Sequence, residues 1–154
     1  MPVDVEELFS ELVRLETELW SAADSRLQAD HGLPLSWFEP LRVAQETPGC
    51  RLSDIVDALG ITVGGASKLV DRLQAAGLCE RVVDPSDRRS SVIELTPHGG
   101  RVVDAARETL RDELRGLLLA RVDEDSLATL LAIVDRLRSQ FGPPGRMVSP
   151  TYSR

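Results

Sequence analysis

Apolar side chains recur every three or four residues along most of this chain, a spacing typical of amphipathic α-helices. The first stripe predicts a long helix over residues 4–30 and consists of Val5, Leu8, Leu12, Leu15, Leu19 and Ala22. Further stripes predict helices over residues 35–46, 53–60, 63–76, 98–120 and 124–141. The pattern therefore predicts a mainly helical chain.

The periodicity changes between residues 78 and 95. Two short, β-branched segments, LCERVV (78–83) and SSVIEL (90–95), flank DPSDRR, in which Asp-Pro and Ser-Asp favour a turn. They predict a β-hairpin directly after two short helices that meet at Gly60. A helix-turn-helix followed by a hairpin is a winged helix, so the predicted fold class is mainly α (α+β).

The second helix of this pair carries one polar face. Ser67, Lys68, Asp71 and Arg72 lie opposite Leu69 and Leu73 on a helix that Thr62 is placed to cap. In a winged helix, such a helix can enter the major groove of DNA while the wing reaches the neighbouring minor groove. Two arginines at the wing tip, Arg88 and Arg89, suit a narrow, negative minor groove.

Ser53 precedes the first helix of the pair and has two interpretations. It is placed to cap that helix, with Asp54 well placed against the helix dipole. It is also placed to contact a DNA phosphate, and the sequence leaves both roles open.

The overall charge of the chain argues against DNA binding. The chain has 154 residues, 18 basic and 25 acidic, for a net charge of −7, whereas a basic surface is the usual mark of a nucleic-acid binder. However, residues 1–50 hold three basic and ten acidic residues, while residues 61–95 hold five of each. The acidic excess therefore lies outside the proposed DNA-binding segment.

The remaining composition excludes several classes of protein. No apolar run is long enough to cross a membrane, and the acidic N-terminus is unlike a secretory signal, so we expect a cytoplasmic protein. Cys50 and Cys79 lie 29 residues apart without a CxxC motif and are expected to be free thiols. We find no catalytic triad, phosphate-binding glycine loop or metal-ligand cluster, so we expect neither an enzyme nor a cofactor.

Residues 52–99, LSDIVDALGITVGGASKLVDRLQAAGLCERVVDPSDRRSSVIELTPHG, resemble the MarR-like transcriptional regulators. The match is most specific over LVDRLQAAGLCERVVDPSDRR, and the flanking helices match in placement. The resemblance implies a homodimer, usually a repressor, in which two winged-helix lobes read a pseudo-palindromic site in double-stranded DNA. It implies a dimerisation region at 1–34 and 97–141 and a DNA-binding region at 35–96. The residues Gly142-Pro143-Pro144-Gly145 end the last predicted helix, so we expect a flexible tail at 142–154.

The resemblance also assigns site residues. The groove-facing positions of the family fall on Val63, Gly64, Gly65, Ser67 and Lys68. The minor-groove arginine falls on Arg89 or Arg88, and Asp71 and Asp87 match acidic positions that commonly orient it. Gly64 and Gly65 depart from the family, which often has side chains there; they cost about 1 kcal/mol each in a helix interior. They leave specificity to Ser67, Lys68, the wing and DNA shape.

Many relatives bind a small aromatic or anionic effector between the dimer helices and the DNA-binding lobe. By resemblance, the candidates for such a pocket are Arg14, Trp20, Trp37, Phe38 and Arg42, although tryptophans are more often core residues. An alternative function is a winged-helix protein–protein interaction module without DNA binding, which the acidic first helix favours.

Overall fold

A computed structural model describes residues 2–141 and confirms the mainly helical winged-helix fold. The helices are α1 (Val5–His31), α2 (Leu35–Glu46), α3 (Leu52–Leu59), α4 (Val63–Ala75), α5 (Pro97–Leu119) and α6 (Glu124–Ser139). Strands β1 (Cys79–Asp84) and β2 (Asp87–Leu95) pair antiparallel between α4 and α5. The tail predicted at 142–154 lies outside the described residues.

One hydrophobic core joins the winged helix to the adjoining parts of α1 and α5. Phe38, Ile55 and Leu73 come from the three short helices and are almost completely buried. Leu27 of α1 and Val103 of α5 are buried in the same cluster. The lobe is therefore fixed to the ends of the two long helices that lie nearest to it.

The outer parts of the helices behave differently. The first half of α1 exposes large apolar side chains, and none of the described residues of α6 is buried. The stripe that predicted helix α1 is therefore correct about secondary structure, but within this chain much of that stripe remains uncovered.

The turn at the wing tip is shorter than the sequence predicted. Instead of the six residues DPSDRR, the turn comprises only Pro85 and Ser86, so Arg88 and Arg89 lie at the start of β2. The Asp84 carboxylate accepts hydrogen bonds from the Ser86 backbone N–H at 2.9 Å and hydroxyl at 2.7 Å. This local bonding closes the chain after two residues, so that Asp84 pairs with Asp87. A register shift between Val83 and Asp84 then leaves Arg88, Arg89 and Ser90 without a partner on β1.

Ser53 does not cap α3. The helix begins at Leu52, Arg51 occupies the cap position, and Ser53 is exposed in the first turn. The Asp54 carboxylate instead accepts the Arg51 backbone N–H at 2.7 Å. Arg51 has no side-chain oxygen to return a bond, so only the acidic half of a capping box forms here. Gly60 ends α3 with φ of +64°, as the sequence predicted.

Candidate nucleic-acid interface

Helix α4 presents one face to the core and another to solvent. Ala66, Val70 and Leu73 are buried, because apolar residues at this spacing share one side of a helix. The exposed positions are Val63, Gly64, Gly65, Lys68, Asp71, Arg72, Gln74 and Ala75. The Thr62 hydroxyl accepts the Gly65 N–H at 3.0 Å, so Thr62 caps the helix as predicted.

Ser67 is half-buried because an arginine of the hairpin reaches it. Arg81 of β1 lies with Nη2 3.4 Å from the Ser67 carbonyl oxygen and 3.5 Å from its hydroxyl. The other Arg81 nitrogen, Nη1, donates to Asp71 at 2.5 Å. The carboxylate expected to orient a wing-tip arginine therefore pairs with Arg81, which joins the wing to α4 at the base of the hairpin. Arg81 was not among the predicted site residues.

A second ion pair holds the far end of the wing. Arg51, at the start of α3, pairs with Asp84, whose side chain is almost fully buried although it is charged. Hydrogen bonds from Ser86 lower the pKa of Asp84, and the Arg51 charge lowers it further. The wing is thus attached to two helices, at Asp71 of α4 and next to α3 at Arg51.

The arginines of the wing remain exposed. Arg88 and Arg89 are both exposed at the start of β2. Asp87 accepts the backbone N–H of Arg89 at 3.0 Å, so its carboxylate orders the main chain there and is not paired with a guanidinium. The expected role of Asp87 therefore applies to the backbone beside the arginine.

The basic residues of the lobe fall into two groups. Arg42, Arg51 and Arg81 each form an ion pair with a carboxylate. Among the described residues, the basic side chains that have no ion pair include all four of the proposed interface: Lys68, Arg72, Arg88 and Arg89. Such cations can meet phosphates without first losing a carboxylate partner.

The five effector candidates do not line one common pocket. Phe38 is fully buried, and Arg42 binds Glu39 at 2.7 Å and Glu46 at 2.8 Å. Trp20 and Trp37 are half-buried and pack against the core. Arg14 lies in a depression of about 250 Å³ whose lining residues all come from α1. Phe38 can contact an effector only if the core around it rearranges.

Both cysteines are free and buried. Burial, aided by the nearby Asp54 charge, raises the pKa of Cys50 to about 11, and burial also raises the pKa of Cys79. Little thiolate exists at neutral pH under these conditions. Within residues 2–141 there is no cluster of His, Cys, Asp and Glu that could hold a metal ion, and no helix that could span a membrane.

Comparison with known proteins finds relatives with this architecture. A family model described as the MarR family matches residues 31–90, from the end of α1 to the wing. The multiple antibiotic resistance protein MarR of Salmonella typhimurium is 25% identical over 84 residues, 54% of this chain and 58% of that protein. The aligned part thus spans little more than half of that relative.

A MarR family transcriptional regulator from Streptomyces coelicolor, solved in complex with DNA, has the same fold over almost its whole length. The TM-score is 0.81, with 24% identity, and the match covers 95% of this chain and 94% of that one. The family model, the curated relative and this solved structure together support a MarR-like winged-helix regulator.

A second solved structure extends the comparison. CouR from Rhodococcus jostii, bound to p-coumaroyl-CoA, gives a TM-score of 0.74 at 26% identity, and the match covers 95% of this chain and 96% of that one. MarR family members are transcription regulators and not enzymes, in agreement with the sequence analysis.

Proposed function

We propose that this MarR-like protein is a homodimeric regulator that binds a pseudo-palindromic site in double-stranded DNA and represses transcription there. Helix α4 enters the major groove and the wing follows the neighbouring minor groove. The observation that carries this proposal is the group of unpaired cations on α4 and β2, within a lobe whose Arg42, Arg51 and Arg81 are paired. A dimer bound across a promoter blocks polymerase, which favours repression.

The homodimer is supported by the apolar surface of the outer helices. Residues that a partner would cover are exposed on α1, on α6 and just after α6; they include Leu8, Phe9, Leu12, Leu130, Leu131, Leu137 and Phe141. Two-fold symmetry then sets the two α4 helices about one DNA turn apart, roughly 34–36 Å. Most of the acidic residues of 1–50 lie on α1, outside the helix-turn-helix and the wing.

The experiment is a fluorescence-anisotropy titration over a series of salt concentrations. The DNA is the promoter beside the protein's own gene, or a duplex selected from a randomised library. The double variant Arg88→Ala with Arg89→Ala should bind about tenfold or more weakly, and log K should fall less steeply with log salt because fewer counterions are released.

The matched control is Arg111→Ala with Arg115→Ala. This pair removes the same charge from exposed positions on α5 and should leave the salt slope close to that of the unmodified protein. If the two double variants behave alike, the wing does not contact DNA. If no duplex binds with sequence preference, the protein-interaction alternative replaces the proposal.

An effector that relieves repression would act where α1 meets α2. Trp20 of α1 and Trp37 of α2 are half-buried against the core and offer flat apolar surface to an aromatic ligand. An anionic group at Arg42 would have to displace Glu39 or Glu46. Quenching of tryptophan fluorescence by aromatic carboxylates, together with release of bound DNA, tests this part of the proposal. Loss of quenching in Trp37→Leu, but not in Trp20→Leu, would assign the contact to Trp37.

A further inference from the structure

The first turn of α4 contains an exposed apolar side chain. Val63 is 65% exposed, and from residue 16 to residue 116, all of them described, the large apolar side chains classed as exposed are Val63 and Val83. Both belong to the two elements proposed to contact DNA. Valine is also a weaker helix former than most polar alternatives, so the folded chain itself gives no reason for valine at this exposed position.

Gly64 follows Val63, and no backbone conformation or contact within the chain requires glycine there. Its φ is not positive, and a Cβ built on it meets nothing within 4 Å. The neighbouring Gly65 differs, because a Cβ there would lie 3.0 Å from the Thr62 hydroxyl that caps the helix. Internal contacts thus account for Gly65, whereas Gly64 has room for a side chain that it lacks.

Helical spacing shows where the missing side chain would point. Gly64, Lys68 and Arg72 follow one another at intervals of four and so form one exposed stripe along α4. Lys68 and Arg72 carry cations without an ion pair. Gly64 lies at the end of α4 that is proposed to enter the groove, and it presents only backbone. Glycine is typical of positions where a backbone must approach a ligand closely.

We propose that the first turn of α4 reads a thymine, with Val63 packed against its 5-methyl group and Gly64 providing the space for the helix to come that near. In the major groove thymine is the base that presents a methyl group, and apolar side chains recognise it by contact. This inference rests on the proposed DNA-binding function and names a specificity-determining residue within it.

The first test removes the methyl group from the DNA. In a duplex obtained by library selection, each thymine is replaced in turn by deoxyuridine, which keeps the hydrogen-bonding edge. One position in each half-site should weaken binding about fourfold, the value expected for one buried methyl group. In Val63→Ala the same replacement should have almost no effect, so the two changes should be coupled in a double-mutant cycle.

The second test examines Gly64. Gly64→Ala should raise the midpoint of thermal unfolding by about 2 °C, because alanine favours the helix, and should weaken DNA binding by about tenfold or more. The matched control is Gly100→Ala in the first turns of α5, where a Cβ also meets nothing within 4 Å. It should raise the midpoint similarly and leave DNA affinity unchanged.

The outcomes separate this inference from the function on which it rests. Sequence-specific binding with no deoxyuridine effect above about 1.5-fold, or an equal effect in Val63→Ala, overturns the thymine contact and leaves DNA binding intact. Unchanged affinity in Gly64→Ala overturns the close approach. Failure of the unmodified protein to prefer any duplex removes the proposed function itself.

Discussion

The winged-helix lobe and the outer helices differ in where their apolar side chains lie. In the lobe, every large apolar residue except Val63 and Val83 is buried or partly buried, with Phe38 and Ile55 at its centre. The first half of α1 exposes its large apolar residues and α6 buries none of its own, Phe9 and Leu131 being 68% and 62% exposed. The lobe shares a closed core with the adjoining ends of α1 and α5, whereas the outer helices have amphipathic faces that this chain alone leaves open. A large exposed apolar surface of this kind marks a protein–protein contact.

The largest difference in stability between the two regions is expected from a substitution in the core of the lobe. Phe38→Ala removes a fully buried ring, and we expect the free energy of unfolding to fall by about 3–5 kcal/mol. Chemical denaturation followed by circular dichroism measures it. The matched control is Phe9→Ala, which truncates the same residue type at an exposed site of α1. At protein concentrations where the chain is monomeric, equal losses in both variants would contradict the distinction between the two regions.

Damage to the outer helices should change assembly before it changes the fold of the lobe. Leu131→Glu places a charge on the apolar face of α6, and we expect the dissociation constant of the dimer to rise about 100-fold or more because that charge must be desolvated at the interface. Sedimentation velocity measures the oligomeric state over a range of concentrations.

The control for Leu131→Glu is Gln74→Glu, which adds the same charge at an exposed position of α4. This variant should assemble like the unmodified protein. If Leu131→Glu keeps the same oligomeric state, α6 lies outside the interface, and the proposed dimer needs another arrangement.

Features set by the local sequence could be predicted, whereas features set by tertiary contacts could not. Helix bounds follow local periodicity and caps, so α2 was predicted at its observed residues and Thr62 as a cap was correct. The partners of charged residues depend on strand register and tertiary placement. Arg51 and Asp84 lie 33 positions apart, and no local pattern signals that they meet. Asp71 likewise pairs with Arg81, ten positions away, and no local pattern signals that contact.

The wing tip shows how a small local signal could have been used more fully. DPSDRR was interpreted as a six-residue turn, but Asp84 followed two positions later by Ser86 is itself the pattern of an Asx turn. That pattern predicts a tight two-residue connection and places Arg88 and Arg89 on a strand. The burial of the Asp84 carboxylate could not be predicted, because it depends on Arg51 arriving from α3.

The smallest expected effect is the contribution of Asp84 to the pH dependence of stability, since Asp84 joins the wing to Arg51 at the start of α3. The pKa of Asp84 is lower in the folded protein than its ordinary value of 3.8, because the charged form accepts bonds from Ser86 and faces Arg51. Folding therefore favours the carboxylate, and its contribution to stability is complete above the unfolded pKa and is lost as the pH falls through the lower folded pKa.

Denaturation of the unmodified protein and of Asp84→Asn from pH 7 to pH 2 measures this contribution. The difference between their free energies of unfolding should stay constant down to about pH 5 and become smaller below about pH 4. Glu46 and Asp123 also have lowered pKa values, and comparing the two proteins cancels their titration. A difference that is constant down to pH 2 would show that the wing does not depend on the charge of Asp84.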